Sequence, residues 1–226
     1  MSLTIDAVIA RVVHARSTLP ESVRLIAVTK QVPVELMRAA YRAGIRDFGE
    51  SRIQEAIAKQ LELSDLTDLT WHFIGHLQTN KALKALEHFQ WIHSVDNLKL
   101  AQHLNRLAQE LQQRPQICLQ VKILPDPQKY GWAPSELLID LPILNQCTHL
   151  NICGLMTIPP LGLTPTEIQG VFQQTRELAT KIQQHSGSHL RMQQLSMGMS
   201  DDYQLAVAAG ATMVRLGRVL FGERQY

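Results

Sequence analysis

Eight short apolar segments, separated by helical stretches, constrain the fold of this chain more than any other feature. Read between Gly, Pro and polar punctuation, the segments with strand character are LIAVT (25–29), IRDFG (45–49), WHFIG (71–75) and WIHSV (91–95) in the first half. ICLQVKI (117–123), LNICGLM (150–156), QLSMG (194–198) and TMVRLG (212–217) follow in the second. Helical periodicity runs from Val34 to Ala43, Arg52 to Leu61, Asn80 to His88, Leu98 to Gln113, Pro134 to Asn145, Pro165 to His185 and Asp202 to Ala209. The 226 residues divide into about 28 per unit, near the span of one strand plus its crossover helix. Alternation of this kind implies a parallel sheet covered by helices, and eight units favour closure into a (β/α)₈ TIM barrel, an α/β fold. The count decides the matter, because losing WIHSV would leave seven strands and reopen the doubly wound sheet. An additional amphipathic helix, Leu3 to Ser17, precedes the repeat with Ile5, Val8, Ile9, Val12 and Val13 on one face, and Pro20 stops it. No linker divides the chain, so residues 1–226 are expected to form one domain.

Composition narrows the function. Twenty-two Lys and Arg against twenty Asp and Glu leave a net charge of +2, too little for general attraction to nucleic acid or an acidic membrane. Cys118, Cys147 and Cys153 are an odd set without CxxC or zinc-ligand spacing, and they read as buried, reduced thiols with no metal site. The amino terminus lacks the apolar core of a signal peptide, and no apolar run is long enough to span a membrane, so a cytoplasmic location is expected. GxGxxG, P-loop, HExxH and GxSxG are all absent, which removes the standard nucleotide, zinc-protease and serine-hydrolase readings.

A barrel of this class carries its chemistry at the carboxyl ends of the strands. Lys30 directly follows LIAVT, where an amine near apolar walls can attack a carbonyl to form a Schiff base; the alternative is a solvated lysine closing a strand. LSMGMSDD and MVRLGRVLFG bracket the seventh and eighth strands, where barrels commonly hold phosphate. Gly198 and Gly217 let backbone N–H groups approach an anion, and Ser200 offers a hydroxyl and a cap for a helix beginning at Asp201 or Asp202; ordinary turns are the alternative. Arg215, inside the eighth strand, must find an acceptor or line the mouth, with an ion pair to Asp47 or Glu50 as its structural alternative. WHFIGHLQTNK clusters Gly75, His76, Gln78, Asn80 and Lys81 at the catalytic end, although His76 can also be structural, and His72 and His93 are weaker candidates. FGESRIQEA reads as an N-capping turn with Glu50 and Ser51 leading a helix. Barrel, lysine, phosphate cradle and arginine together describe a site for an aldehyde that carries a phosphate, and pyridoxal 5'-phosphate (PLP) has both groups.

These stretches resemble the pyridoxal phosphate homeostasis protein family, also called the proline synthetase co-transcribed homologue family. The likeness rests on AVTK (27–30), YRAGIRDFGESRIQEA (41–56), WHFIGHLQTNK (71–81), SVD (94–96), GLMTIP (154–159), LSMGMSDD and MVRLGRVLFGER, and covers nearly the whole chain. It implies a single-domain barrel like the amino-terminal domain of alanine racemase, with Lys30 bonding the cofactor. It also implies Ser200 with backbone of Met199, Gly217 and Arg218 at the phosphate, Arg215 at the pyridine nitrogen, and Ile74, Gly75, His76 and Asn80 bordering the cofactor. Two departures stand out: Ser51 replaces the family's asparagine, and in VKILPDPQKYGW (121–132) Lys122 and Asp126 differ while Lys129 and Gly131 remain.

The resemblance implies a carrier or buffer of PLP acting in amino-acid and keto-acid balance without dedicated turnover, whose partners are PLP itself and apo-PLP enzymes or regulators; a monomer is expected, because a closed barrel has no sheet edge demanding a partner. An amino-acid racemase of the alanine racemase type is the alternative. It needs acids and bases on both faces of the substrate, one usually a tyrosine from a second domain of a partner subunit. With the sequence ending at Tyr226 no such domain is expected, and Tyr130 or Tyr203 would have to substitute. A third reading is a phosphosugar enzyme using Lys30 as a Schiff-base lysine without PLP.

Overall fold

A computed structural model describes residues 4–185 and 190–223. The elements are α1 (Ile5–Ser17), β1 (Arg24–Val28), α2 (Val34–Arg42), β2 (Asp47–Glu50), α3 (Ile53–Glu62) and β3 (Thr70–Phe73). A single 3₁₀ turn (Thr79–Lys81) leads into α4 (Ala82–His88), β4 (Trp91–Val95), α5 (Leu98–Glu110), β5 (Gln116–Val121) and α6 (Pro134–Leu144). The chain continues through β6 (Asn151–Thr157), α7 (Pro165–Gln184), β7 (Gln194–Ser196), α8 (Tyr203–Ala208), β8 (Met213–Leu216) and α9 (Arg218–Phe221). The eight strands, all parallel, close in sequence order, with β8 pairing back onto β1 through Leu25↔Val214 and Ala27↔Leu216. WIHSV is β4, so the count of eight stands.

Local chemistry sets the helix starts. Thr4 accepts the Ala7 N–H at 3.2 Å before α1, and Asn97 accepts that of Leu100 at 2.9 Å before α5. Thr164 and Glu167 form a reciprocal capping box with Pro165 in the first turn of α7. Helix α1 buries Val8, Val12 and Ala15 against α2 and α9, a narrower face than expected, since Ile5 and Val13 are exposed. Each of those valines contributes about 1.5–3 kcal/mol relative to an exposed side chain. Leu3, the expected start of this helix, lies outside the described residues.

Strand alternation separates two cores. The larger one lies between strands and helices and includes Phe48, Trp71, Phe73, Ile92 and Leu119. A smaller cluster of Ile26, Trp91, Cys118, Cys153, Met156 and Met213 fills the lumen. All three cysteines are buried and unlinked. Among the described residues no helix is long and apolar enough to cross a membrane.

Candidate cofactor site

Lys30 stands two residues past β1, half-buried, on a stretch of backbone anchored on both sides. The buried ammonium of Lys59, on α3, donates to the Thr29 carbonyl at 2.6 Å, to Glu50 Oε1 at 2.8 Å and to Glu55 Oε1 at 2.6 Å. Thr29 Oγ1 donates to the same Glu50 oxygen at 2.7 Å, and the Gln31 N–H donates to Glu55. Gln31 has φ +60°, a conformation uncommon for a residue with a side chain, and the Glu55 contact holds it there. Burial pushes the Glu50 carboxyl up, against the pull of Lys59 and Thr29, and its Oε2 has no hydrogen-bond partner. Partial burial also pushes Glu55 up, but the bonds from Lys59 and Gln31 outweigh it and leave that carboxyl below its ordinary value. Glu50 is therefore the buried end of β2 and not part of a capping turn; Arg52 takes the cap position of α3 with no side-chain cap.

The loops after β7 and β8 touch each other through Ser200 and Val219. Gly198 has φ +92°, and a Cβ there would lie 2.6 Å from that of Ala206, so both backbone and space call for glycine. The Met199 N–H donates to Asp202 Oδ1 at 2.6 Å and its carbonyl accepts from Tyr203 at 2.8 Å, which commits this backbone to starting α8. Ser200 does not cap α8 as expected. Its Oγ instead accepts the Val219 N–H of α9 at 3.3 Å, while Arg218 pairs with Asp201. Ser200 and the first N–H groups of α9 thus share one place at the carboxyl ends of β7 and β8, an arrangement that suits a phosphate. A Cβ at Gly217 would make ordinary contact with Val28 Cβ at 3.5 Å, so the bare glycine leaves a gap that a side chain would fill, beside the end of β1.

Arg215 is buried, and its guanidinium donates to the Ser196 carbonyl at 2.6 Å, Ser196 Oγ at 2.7 Å and the Thr157 carbonyl at 3.1 Å. The ion pair considered for it does not form: Glu50 pairs with Lys59, and Asp47 with His72 and Arg24. Burial lowers the Arg215 pKa from its ordinary value to about 10, with Asp202 and Cys118 opposing, so the group stays cationic at neutral pH.

Around the mouth, exposed His76 stacks on Tyr130 with ring centres 3.6 Å apart, and its Nδ1 lies 3.1 Å from Asp96 Oδ2. Lys129 donates to the Pro159 carbonyl, so the loop after β5 bridges those after β3 and β6. Gly75 packs so closely on the Ser51 backbone that no side chain fits, and Ile74 donates its N–H to the Glu50 carbonyl at 2.9 Å. Asn80 lies exposed in the 3₁₀ turn.

Barrel closure therefore gathers Lys30, Arg215, Ser200 and Gly217 at the carboxyl ends of β7, β8 and β1, while Ile74, Gly75, His76 and Asn80 follow β3 on the same rim. Sequence reasoning missed Lys59. The i,i+4 spacing of Glu55 and Lys59 was the available signal.

Fold and site define a barrel of the alanine racemase N-terminal type: the family described as alanine racemase, N-terminal domain, matches residues 3–225. A relative from Synechocystis sp. named pyridoxal phosphate homeostasis protein is 56% identical over 208 residues, which are 92% of this chain and 94% of the relative. This chain belongs to the pyridoxal phosphate homeostasis protein family. Two solved structures of PipY from Synechococcus elongatus superpose on it. The one with PLP bound has a TM-score of 0.91 at 55% identity, and the one without PLP 0.92 at 56%, each covering 95% of this chain and all of that one.

Proposed function

We propose that this chain is a cytoplasmic, monomeric PLP-binding protein, a single barrel domain over 1–226 that holds the cofactor as a Schiff base on Lys30 and serves PLP homeostasis and amino-acid and keto-acid balance without turnover of its own. One observation carries the reading: Lys30 follows β1, buried Arg215 lies in β8, and the Ser200–Val219 contact follows β7 and β8, so that β8 pairing with β1 puts all three on one rim. When bound, PLP supplies an aldehyde that condenses with an amine, losing water, and a ring that withdraws electrons. The Lys59–Glu50–Glu55 clamp fixes the backbone that carries Lys30. Ser200 and the first turn of α9, with Gly217 and Arg218, would bind the phosphate. Arg215, a permanent donor, would face the ring nitrogen and keep it unprotonated, which makes the ring a poorer electron sink and supports carriage over carbanion chemistry. Ile74, Gly75, His76 and Asn80 would border the cofactor, and the clients would be apo-PLP enzymes or regulators.

The racemase alternative lacks support from Tyr203, whose hydroxyl lies 3.3 Å from Thr18 Oγ1, beside α1. The test is a visible spectrum of purified protein with added PLP, followed by borohydride reduction and peptide mapping. A long-wavelength band, covalent label on Lys30, loss of both in Lys30→Ala and no D/L interconversion of amino acids are expected. Protein that stays colourless and unlabelled with PLP would overturn the proposal.

A further inference from the structure

A line of buried polar side chains runs through the barrel lumen and ends on Arg215. His72 (β3), His93 (β4) and Ser196 (β7) are all fully buried. His93 Nδ1 lies 2.7 Å from Ser196 Oγ, and since β5 and β6 separate β4 from β7, this contact crosses the lumen. His93 Nε2 lies 2.9 Å from His72 Nδ1, and His72 Nε2 lies 2.8 Å from Asp47 Oδ1. The line climbs from Asp47, the first residue of β2, to Arg215, next to last in β8.

Both ends dictate the same proton order. Arg215 can only donate, so Ser196 Oγ accepts from it, and the hydroxyl hydrogen is left to donate to His93 Nδ1. His93 must then carry its proton on Nε2 and donate to His72 Nδ1. That places the second proton on His72 Nε2, facing the Asp47 carboxylate, which an acceptor at that end requires independently. Reversing any link leaves a buried hydrogen without an acceptor.

We propose that these five side chains form a one-way donor chain in which Ser196 and His93 are positioning residues for Arg215, with His72 as the link and Asp47 as the remote anchor. The consequence for the cofactor rests on the PLP reading above; the chain itself does not. Its surroundings agree with neutral imidazoles. Burial lowers His72 against the pull of Asp47, and burial together with His72, Arg215 and Arg24 lowers His93 further. The other charged or titratable groups along the line are Arg24, 3.6 Å from Asp47 and over the Trp91 ring, Asp202 and Cys118 beside Arg215, and Cys153 beside Cys118. Burying so many polar groups is justified only with every partner present.

The test uses the full chain in two arms. In protein without PLP, histidine nitrogen NMR should show Nε2–H on both His72 and His93 through neutral pH. Ser196→Ala should shift the His93 nitrogens toward tautomer averaging, and Ser196→Thr, which keeps the hydroxyl, should restore them. With PLP, Ser196→Ala and Asp47→Asn should still load Lys30 but move the pH profile of the bound-cofactor absorbance, and Ser196→Ala should weaken PLP binding about tenfold, one hydrogen bond's worth. A packing role alone would lower thermal stability and leave both signatures as in wild type. Nδ1–H or imidazolium signals in the wild type, or unchanged spectra in variants that load PLP, would overturn the chain while leaving the PLP reading intact. A protein that takes up no PLP would overturn that reading instead, and the nitrogen shifts would then decide the chain alone.

Discussion

Lys59→Met is the most demanding test of how the backbone around Lys30 is held. The Lys59 side chain is 9% exposed and that of Glu50 0%, so removing the ammonium strands a buried carboxylate, while the Thr29 carbonyl keeps only the Val32 N–H at 2.8 Å. Breaking such a pair from one side costs about 3–5 kcal/mol, and in a domain of this size that lowers Tm by about 6 to 20 °C. The loss should depend on pH with a known sign. Burial already raises the Glu50 carboxyl, and without Lys59 it rises further. A group with a raised folded-state pKa leaves stability intact below its unfolded value, about 4.3, and removes it as pH climbs through the folded value. The gap between wild type and Lys59→Met should therefore widen as pH increases, by up to about 1.4 kcal/mol per unit. Adding Glu50→Gln, which removes the stranded charge, should recover most of the loss. Urea denaturation of the wild type, the single and the double variant across pH 5 to 8 measures all three quantities. A single-variant loss below about 1 kcal/mol, one flat with pH, or a double variant no more stable than Lys59→Met would refute the reasoning.

Two further outcomes are expected. His72 and His93 have folded-state values depressed below 6.5, so their contribution is complete above that value and lost as pH falls, by at most about 1.4 kcal/mol per unit each; urea midpoints of wild type and His93→Gln should converge in acid, the comparison cancelling the opposite slopes of Glu50 and Asp202, and parallel curves would contradict it. Light scattering should return a monomer at all concentrations because a closed barrel leaves no sheet edge to pair, and a dimer that persists on dilution would refute that.

The sequence made the barrel legible because each strand and helix is encoded within a few residues of itself. Apolar runs, Pro at 134 and 165 and the caps at Asn97 and Thr164 act locally. Lys30, Arg215 and Ser200 were legible through their positions after or within strands. The four-residue α9 was not, since a single turn has no periodicity, and Ser200 was consequently assigned to the wrong helix. Lys59 was not legible because its partner Glu50 lies across a turn on another element. His93 and Ser196 are 103 residues apart on strands that are not neighbours, so only closure of the barrel makes them a pair.

Clamp and chain meet in β2. Its four residues DFGE place Asp47 and Gly49 toward the lumen, where Gly49 approaches Ile26, and Phe48 and Glu50 toward the helices, where Phe48 meets Trp71 and Glu50 meets Lys59. Asp47 anchors the line to Arg215, and Glu50 anchors the backbone around Lys30. Because the side-chain period of a strand is two, a slip of one residue in the pairing Asp47↔Thr70 to Glu50↔Phe73 would turn both carboxyls to the wrong face together. The backbone around Lys30 and the line to Arg215 are thus set by one strand register, and burial of Phe48 between barrel and helices, at 0% exposure, is what opposes that slip.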